Sequence, residues 1–252
     1  MGEDQPRRQA EEALRLTDGP TKLERASRAL YGRRKGKPLR GPHTDLVAAL
    51  LPALALDLDA PLAADALFQG RKSELRILEL RMEIGFGGGE QLAANAQANP
   101  GIGYVGCEPF INGVAKLLAE IAARDLSNIR LHVGDAGDVI DRLPEASLAQ
   151  VDIFYPDPWP KRRQQKRRFI SDAMLARLAR AMRPGAKLRF ATDIDDYAGW
   201  TLVRILRSAD FDWPAQVAAD WTQPWPDWRG TRYEAKAARE GRKPVYLTFV
   251  RR

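Results

Sequence analysis

The sequence predicts an α/β fold in which a mostly parallel sheet is covered by helices on both faces. From residue 78 onward, short segments typical of strands are separated by longer segments with helical periodicity. A glycine cluster, Gly85–Gly89, directly follows the first of these strands. Alternation of strands and helices favours parallel pairing, because each connecting helix packs back onto the sheet.

The predicted elements alternate as far as the C-terminus. Apolar residues alternate with charged ones from Leu78 to Ile84, which predicts a first strand. The other predicted strands are Gly103–Cys107, Ile129–Val133, Val151–Tyr155, Lys187–Thr192 and Pro244–Val250. The predicted helices are Asp45–Leu51, Gln91–Asn99, Ile111–Arg124, Phe169–Met182 and Tyr197–Ser208. A turn over residues 183–186 is expected to precede the fifth strand.

The length and charge of the chain indicate one large domain and an anionic partner. A chain of 252 residues with 44% hydrophobic content is long enough to bury a single sizeable core. We expect that domain over residues 41–252, preceded by a flexible basic arm over residues 1–40. The net charge of +7 favours a polyanion such as nucleic acid as the partner.

Several classes of protein are disfavoured by composition. The longest apolar run, Val47–Leu56, is about half of a membrane span, and the first residues carry no hydrophobic signal region. A single cysteine, Cys107, excludes internal disulfide bonds. Two histidines, His43 and His132, lie far apart in sequence and offer few ligands for a metal. We therefore expect a cytoplasmic protein with no membrane segment and no metal site.

The glycine cluster predicts a turn that approaches a bound nucleoside closely. A dinucleotide fingerprint requires a third glycine where this chain has Glu90, and a carboxylate there would lie beside a pyrophosphate. A nicotinamide cofactor is therefore disfavoured. Gly85 and Gly87, with Glu83 placed to accept a hydrogen bond from an ammonium group, suit an adenosine ligand without phosphates. S-adenosylmethionine has this composition.

Two further acidic residues extend this predicted site. Glu108 ends the second strand, where an acid typically accepts hydrogen bonds from both ribose hydroxyls. Asp135 and the backbone N–H of Ala136 follow the third strand and suit the amino group and a ring nitrogen of adenine. Because ligands bind at the carboxyl ends of the strands in open α/β sheets, we expect these residues to lie in one cleft.

An acidic residue and a basic run follow the fourth strand. Prolines on both sides of Asp157 restrict its backbone, which makes its carboxylate a candidate for the cleft. Six of the eight residues from Lys161 to Arg168 are cationic. A basic run beside a cleft favours contacts with the phosphates of RNA or DNA.

Four segments, in this order, resemble the tRNA (guanine-N7-)-methyltransferase family in its bacterial single-chain form. They are Glu83-Ile84-Gly85-Phe86-Gly87, Pro156-Asp157-Pro158-Trp159 with the basic run, Thr192-Asp193, and Thr231-Arg232-Tyr233-Glu234. The resemblance covers about residue 30 to the C-terminus. It implies a seven-stranded Rossmann-like methyltransferase sheet, S-adenosylmethionine as the methyl donor, and the guanosine numbered 46 in the tRNA variable loop as the target. We expect no obligate protein partner.

The resemblance also implies roles for individual residues, to which the glycines and Ala136 are added from their positions. The residues expected at the donor are Glu83, Gly85, Gly87, Glu108, Asp135, Ala136 and Asp157, with Asp157 as the catalytic position. Those expected at the substrate are Lys161, Asp193, Thr231, Arg232, Tyr233 and Glu234. Those expected on the RNA are Arg163, Lys166, Arg167 and Arg168. Pro160, where a His is common, and Arg232-Tyr233, which replace Lys-Phe, are departures that leave tRNA selectivity open.

Methylation at guanine N7 sets simple chemical requirements. The N7 atom has a free lone pair, so no general base is needed, and we expect Asp157 to act by positioning and electrostatics. One carboxylate among Asp157, Asp193 and Glu234 is predicted to accept from guanine N1–H and the exocyclic amine. Adenine lacks this donor pair, so it would leave the carboxylate unsatisfied.

Other interpretations remain open from the sequence. The segment 156–159 distantly resembles loops of enzymes that methylate an exocyclic adenine amine, so another nucleic-acid atom is an alternative target. A non-catalytic RNA-binding protein on the same scaffold is a second alternative. Cys107 and His132 are expected to be structural. Four tryptophans are expected to pack in the core rather than to stack on bases; they are Trp213, Trp221, Trp225 and Trp228.

Overall fold

The computed structural model describes residues 36–69 and 76–252. Residues 1–35, which make up most of the predicted basic arm, lie outside the described residues. The end of that arm contacts the domain, because Gly36 N donates to Asn112 Oδ1 at 2.9 Å and Asn112 Nδ2 donates to the Lys37 carbonyl at 2.8 Å. Within the described ranges, no helix is both long and apolar enough to cross a membrane.

One seven-stranded sheet organises the described part of the chain. Its strands are β1 Glu79–Ile84, β2 Ile102–Cys107, β3 Ile129–His132, β4 Leu148–Phe154, β5 Met182–Thr192, β6 Phe211–Asp212 and β7 Val245–Arg251. Their order is β3-β2-β1-β4-β5-β7-β6. Strands β1 to β5 pair in parallel, whereas β7 is antiparallel to both β5 and β6. The predicted mostly parallel sheet is confirmed.

Helices cover both faces of this sheet, as the sequence predicts. They are α1 Pro42–Leu54, α2 Ala64–Leu67, α3 Glu90–Ala98, α4 Ile111–Arg124, α5 Ala136–Arg142, α6 Asp172–Ala181, α7 Asp195–Arg207, α8 Ala219–Thr222 and α9 Arg232–Arg239. A short 3-10 helix spans Arg162–Arg167. One hydrophobic cluster joins α1, α3 and α4 to the sheet, and another joins α5, α6 and α7 to it.

The start of β5 differs from the prediction. Leu148 of β4 pairs with Met182, and Gln150 pairs with Lys187, so four residues of β5 lie opposite one residue of β4. The predicted turn over residues 183–186 is therefore a bulge inside β5, with Gly185 in the left-handed region at φ 79°. Pairing resumes on both sides of the bulge, which is why the strand begins at Met182 rather than at Lys187.

Sequence periodicity missed five of these helices and strands, α2, α5, α8, α9 and β6, and it also missed the 3-10 helix. Helix α9 spans eight residues and buries only Ala237, so it has no stripe of large apolar residues. Its sequence signal is a capping box, in which Thr231 and Glu234 exchange hydrogen bonds with each other's backbone. Helix α5 is likewise short, and its start is marked by the capping side chain of Asp135.

The residues expected to be structural pack in the interior. Cys107 and His132 are register partners on β2 and β3, and both are buried. Burial lowers the pKa of His132 to about 4, so this imidazole is neutral at physiological pH. The four tryptophans are partly buried against hydrophobic clusters, which confirms the packing role predicted for them.

Candidate active site

A cleft of about 810 Å³ opens at the carboxyl ends of the first four strands. Its volume lies within the range of roughly 300–1,000 Å³ that is typical of small-molecule sites. The predicted site residues that line it are Gly85, Gly87, Glu108, Asp135, Ala136, Asp157, Lys166, Arg167, Arg168, Arg232 and Tyr233. The predicted site residues outside its lining are Glu83, Lys161, Arg163, Asp193, Thr231 and Glu234. Residues predicted for the donor site and residues predicted for the RNA site therefore line the same cleft.

The glycine turn after β1 has a backbone that other residues rarely adopt. Gly85, Gly87 and Gly89 all lie in the left-handed region, with φ values of 73°, 58° and 77°. Helix α4 packs directly on the turn, since a Cβ atom built on Gly113 would lie 2.1 Å from the Gly87 carbonyl oxygen. The turn is therefore fixed from behind, and its open side faces the cleft.

Glu108 at the end of β2 fixes the turn from the front. Its Oε2 accepts from Gly87 N at 2.7 Å, and its Oε1 accepts from Phe110 N at 2.9 Å. Burial raises the pKa of this carboxyl, and the two backbone donors oppose that shift. Each carboxylate oxygen has a second lone pair, so Glu108 can accept from a ligand without releasing the turn.

Asp135 begins helix α5 at the end of β3. Its Oδ1 accepts from Gly137 N at 2.8 Å, which caps the helix. Ala136 is the first residue of α5, and it lines the cleft beside Asp135. The carboxylate of Asp135 accepts hydrogen bonds and the N–H groups at the start of the helix donate them, and this combination suits the edge of a purine base.

Glu83 lies beneath the cleft rather than on its lining. The residue is 4% exposed and pairs in register with Asp152 of β4. Burial raises the pKa of Glu83 well above its usual range, and the nearby Asp152 carboxylate raises it further. Its Oε2 has no hydrogen-bond partner among the described residues. A buried carboxylate oxygen without a partner favours a cationic ligand group in that position.

The Asp157 loop after β4 has a strained backbone on both sides of the carboxylate. Tyr155 and Trp159 have φ values of 50° and 43°, which are uncommon for residues with side chains. Asp157 is exposed to the cleft, and partial burial there raises the pKa of its carboxyl. It makes no hydrogen bond or ion pair with any described residue. The loop therefore presents an unpaired carboxylate to the cleft.

The basic run divides into exposed residues and one buried residue. Lys161, Arg163 and Lys166 are exposed on or beside the 3-10 helix, and the guanidinium of Arg167 lies 5.0 Å from the ring centroid of Trp159. Arg168 is only 3% exposed. Lys161, Arg163 and Lys166 form an exposed basic surface beside the cleft, and Arg167 is only partly exposed.

Arg168, for which a contact with RNA is predicted, makes several contacts within the chain. Its Nε donates to the Pro158 carbonyl at 2.8 Å, and its Nη2 pairs with Asp196 at the start of α7. The guanidinium also lies 4.8 Å from the ring of Tyr197 and 5.0 Å from that of Trp200. These contacts bury the charge of Arg168 and connect the Asp157 loop to the start of α7.

The remaining predicted substrate residues lie on or near α9. Arg232 and Tyr233 face the glycine turn, since a Cβ atom on Gly87 would lie 3.5 Å and 3.7 Å from their side chains. Glu234 accepts three internal hydrogen bonds: from Tyr246 OH on Oε1, and on Oε2 from Trp228 Nε1 at 2.8 Å and Thr231 N at 3.3 Å.

Asp193 at the end of β5 is also occupied within the chain. Its Oδ2 accepts from Arg242 Nε at 2.6 Å. Sequence reasoning did not identify Tyr155 or Arg177 as cleft residues, although both line the cleft. Arg177 is held there by the Gly137 carbonyl at 2.7 Å, a contact between residues 40 apart that no local motif indicates.

The fold and cleft together define the class of protein. A sheet of order β3-β2-β1-β4-β5-β7-β6 with β7 antiparallel, a glycine turn after β1 and acids at the ends of β2 and β3 are the features of class I S-adenosylmethionine-dependent methyltransferases. The residues present fit that donor, because the unpartnered Glu83 oxygen suits its ammonium group and Glu108 suits its ribose.

Comparison with known proteins identifies the family. A family described as "Putative methyltransferase" matches residues 79–247. The tRNA (guanine-N(7)-)-methyltransferase of Agrobacterium fabrum strain C58 is 51% identical over 230 residues, covering 90% of this chain and 97% of that protein. The enzyme of the same name from Brucella melitensis biotype 1 is 53% identical with the same coverage. The chain belongs to the tRNA (guanine-N(7)-)-methyltransferase family.

Among solved structures, the 16S rRNA methyltransferase KamB is similar to this chain. The two are 19% identical with a TM-score of 0.49, and the similarity covers 75% of this chain and 95% of KamB.

Proposed function

We propose that this chain transfers the methyl group of S-adenosylmethionine to N7 of a guanosine in tRNA, and that the guanosine is at position 46 of the variable loop. Curated relatives about half identical to the chain carry the corresponding enzyme name. The observation that carries the proposal is the unpaired Asp157 carboxylate, which lines the same cleft as the glycine turn and Glu108. A carboxylate in that place can position a guanine base beside the methyl donor and stabilise the positive charge that forms on it.

The donor half of the cleft has a residue for each part of the ligand. We assign Glu108 to the ribose hydroxyls, and Asp135 with Ala136 N to the adenine edge. Gly85 and Gly87 let the backbone lie close to the ligand, and Glu83 balances its ammonium group. The burial of Glu83 and the two backbone donors on Glu108 support this assignment.

Guanine N7 attacks through its own lone pair, so no proton has to be removed and no general base is required. When bound, S-adenosylmethionine would supply a methyl group activated by its positively charged sulfur, and the N7–carbon bond would form as the sulfur–carbon bond breaks and S-adenosylhomocysteine leaves. During transfer, positive charge moves onto the purine, and the Asp157 carboxylate stabilises it because the charge is opposite and the loop is already in place. The strained backbone at Tyr155 and Trp159 supports this role, since strain persists where the surroundings impose a geometry.

Substrate contacts are proposed for the other side of the cleft. We assign Lys161, Asp193 and the Thr231–Glu234 segment to the target nucleotide. Phosphate contacts are assigned to Arg163, Lys166 and Arg167, which form a basic surface without the buried Arg168. The three internal hydrogen bonds of Glu234 favour a supporting role for it. Asp193 is also bonded within the chain, to Arg242, so the unpaired Asp157 is the first candidate for reading guanine N1–H and Asp193 is the second.

The setting of this activity follows from its substrate. We propose that the protein acts in the cytoplasm, where tRNA is modified in bacteria. The proposed chemistry requires no metal ion and no membrane. It also requires no protein partner, because donor and RNA residues are supplied by one chain.

The experiment that tests the function uses purified protein, methyl-labelled S-adenosylmethionine and an unmodified tRNA transcript. Borohydride and aniline then cleave the RNA backbone at N7-methylguanosine, and the cleavage position is mapped. We expect label together with cleavage at position 46, and neither in a transcript with adenosine there. Label without cleavage would favour another nucleic-acid atom, and tRNA binding without label would favour the non-catalytic alternative. Cleavage at another guanosine would keep the chemistry and reject the position.

A further inference from the structure

A buried arginine connects the central sheet to the segment that precedes α9. Arg189 of β5 is 4% exposed, and its Nε and Nη2 lie 2.8 Å and 3.2 Å from the two carboxylate oxygens of Asp152 on β4. Its Nη1 lies 2.8 Å and 3.0 Å from the two carboxylate oxygens of Asp227. The same guanidinium lies 4.7 Å from the ring centroid of Trp225. One side chain therefore contacts two strands and the segment 225–230.

A second connection joins this segment to the donor side of the cleft. Gln91 lies in the first turn of α3, two residues after Gly89, and is 2% exposed. Its Nε2 donates to the Asp227 carbonyl at 3.0 Å, and its Oε1 accepts from Arg229 N at 2.8 Å. The helix that leaves the glycine turn thus makes two hydrogen bonds to the backbone of the segment.

The segment is one of the contacts that place helix α9, together with Tyr246, which donates to Glu234. The helix begins directly after Thr231, and Ala237 is its only buried residue, so it has little packing of its own. Trp228 of the segment donates to Glu234 of the helix at 2.8 Å. Arg232 and Tyr233 reach the cleft from this helix, so the contacts of the segment with α9 bear on where these two side chains lie.

The two carboxylates on Arg189 have different surroundings. The Asp152 side chain is 3% exposed, whereas that of Asp227 is 47% exposed. Burial alone would lower the pKa of Arg189, and the two carboxylates raise it instead. Removing Asp227 leaves the buried pair Arg189–Asp152 intact, so the connection to the segment can be broken without leaving an unpaired charge in the core.

We propose that Asp227 and Gln91 are positioning residues that hold α9 in the orientation that binds the target nucleotide. Asp227 acts through its ion pair with Arg189, and Gln91 acts through its hydrogen bonds to the backbone of the segment. This inference rests on the proposed function in treating α9 as a substrate-binding helix. When Asp227 is removed, α9 occupies that orientation for a smaller fraction of the time. The apparent affinity for tRNA then falls by the same fraction, whereas the chemistry in the bound complex is unchanged.

The test compares Asp227→Ala with Asp212→Ala in the full chain. Asp212 is a matched control, because it also pairs with an arginine, Arg252, and is 55% exposed. For Asp227→Ala we expect the KM for tRNA to rise about tenfold, because the loss of one charge-assisted contact corresponds to roughly a tenfold change in affinity. The kcat, the Kd for S-adenosylhomocysteine and the Tm are expected to stay close to wild type. Asp227→Asn keeps an acceptor oxygen and should show a smaller rise.

Hydrogen exchange gives a readout that does not depend on activity. Without tRNA, the amides of residues 232–239 should exchange faster in Asp227→Ala than in wild type or Asp212→Ala. Unchanged exchange, an unchanged KM, or a large fall in Tm with parallel loss of donor binding would each overturn the proposal. If the wild-type protein does not methylate tRNA, the proposed function fails, and the exchange experiment still decides whether Asp227 positions α9.

Discussion

The two halves of the cleft are built in different ways. The donor half uses backbone turns and carboxylates that directly follow strands β1 to β3, and its internal contacts join neighbouring strands, as when Glu108 accepts from Gly87 N. The substrate half uses side-chain contacts between distant segments, such as Arg168 with Pro158 and Asp196, or Arg189 with Asp227. Local sequence motifs therefore describe the donor half and only partly describe the substrate half.

This difference has a consequence for the effect of substitutions. In the donor half, Glu108 fixes the glycine turn and is also the residue proposed to bind the ribose, so we expect a substitution there to affect structure and binding together. In the substrate half, these tasks belong to different residues: Asp157 is unpaired in the cleft, whereas Arg168 supports its loop from below. We expect substitutions there to separate catalysis, RNA binding and positioning.

The largest effect is expected from Asp157→Asn, which keeps the size of the side chain and removes its charge. The rate of methyl transfer at saturating substrates should fall about 100- to 1,000-fold, as when one electrostatic stabiliser of a transition state is removed. Single-turnover transfer of labelled methyl measures this rate. Asp59→Asn, an exposed substitution outside the cleft, is the control. A rate within threefold of wild type would remove Asp157 from the catalytic role.

The pH dependence of the same step sharpens that prediction. Burial raises the pKa of Asp157, so protonation on the acidic side of neutrality removes the charge that catalysis needs. The wild-type rate should therefore rise with pH through that pKa and then level off. Asp157→Asn should lack this acidic limb, and an identical limb in both proteins would assign it to another group.

Glu108→Ala is expected to weaken donor binding about 10- to 100-fold. The substitution removes acceptors for the ligand and also releases Gly87 N and Phe110 N, and hydrogen bonds to a charged group contribute roughly 1.5–3 kcal/mol each. Calorimetric titration with S-adenosylhomocysteine measures the change, with the exposed Glu145→Ala as the control. If the affinity for tRNA fell as much as the affinity for the donor, the two halves of the cleft would not bind their ligands independently.

The same division explains how much of the molecule was predictable. The alternation of strands and helices, and the glycine turn with the acids near strand ends, follow from local patterns, because these are short-range signals. Helix α9 has almost no buried face, so periodicity could not find it, although its capping box is visible at Thr231 and Glu234. The burial of Arg168 could not be predicted, since it depends on Asp196 and Trp200 about thirty residues away.

A smaller effect is expected when two exposed cations, Arg163 and Lys166, are both changed to alanine. The affinity for tRNA should fall several-fold, and the slope of log affinity against log salt should decrease by about 0.7–0.9 for each lost phosphate contact. Filter binding at several salt concentrations measures both. The control is Arg183→Ala with Lys187→Ala, at the opposite end of β5 from the cleft. An equal effect in the control would indicate only a general dependence on net charge.

The smallest effect, and the one opposite in sign, is expected from Glu83→Gln. Burial raises the pKa of Glu83 in the folded protein, so folding favours the protonated form of this carboxyl. Its contribution to the free energy of unfolding is fully present below the ordinary carboxyl pKa and is lost as the pH rises through the raised pKa. At neutral pH the glutamine should therefore raise the Tm of the donor-free protein by about 2–4 °C, while at acidic pH the two Tm values converge.

The opposite response of a neighbouring residue makes this prediction specific. Glu79 lies on the same strand but pairs with Arg81 and Arg183, so Glu79→Gln should lower the Tm or leave it unchanged. Differential scanning calorimetry at several pH values compares the two variants. Glu83→Gln should also weaken donor binding. The buried Glu83 carboxylate has an oxygen without a hydrogen-bond partner, which destabilises the donor-free protein, and the positively charged donor would stabilise this carboxylate when it binds. A lower Tm for Glu83→Gln at neutral pH would show that Glu83 contributes to folding rather than to the donor site.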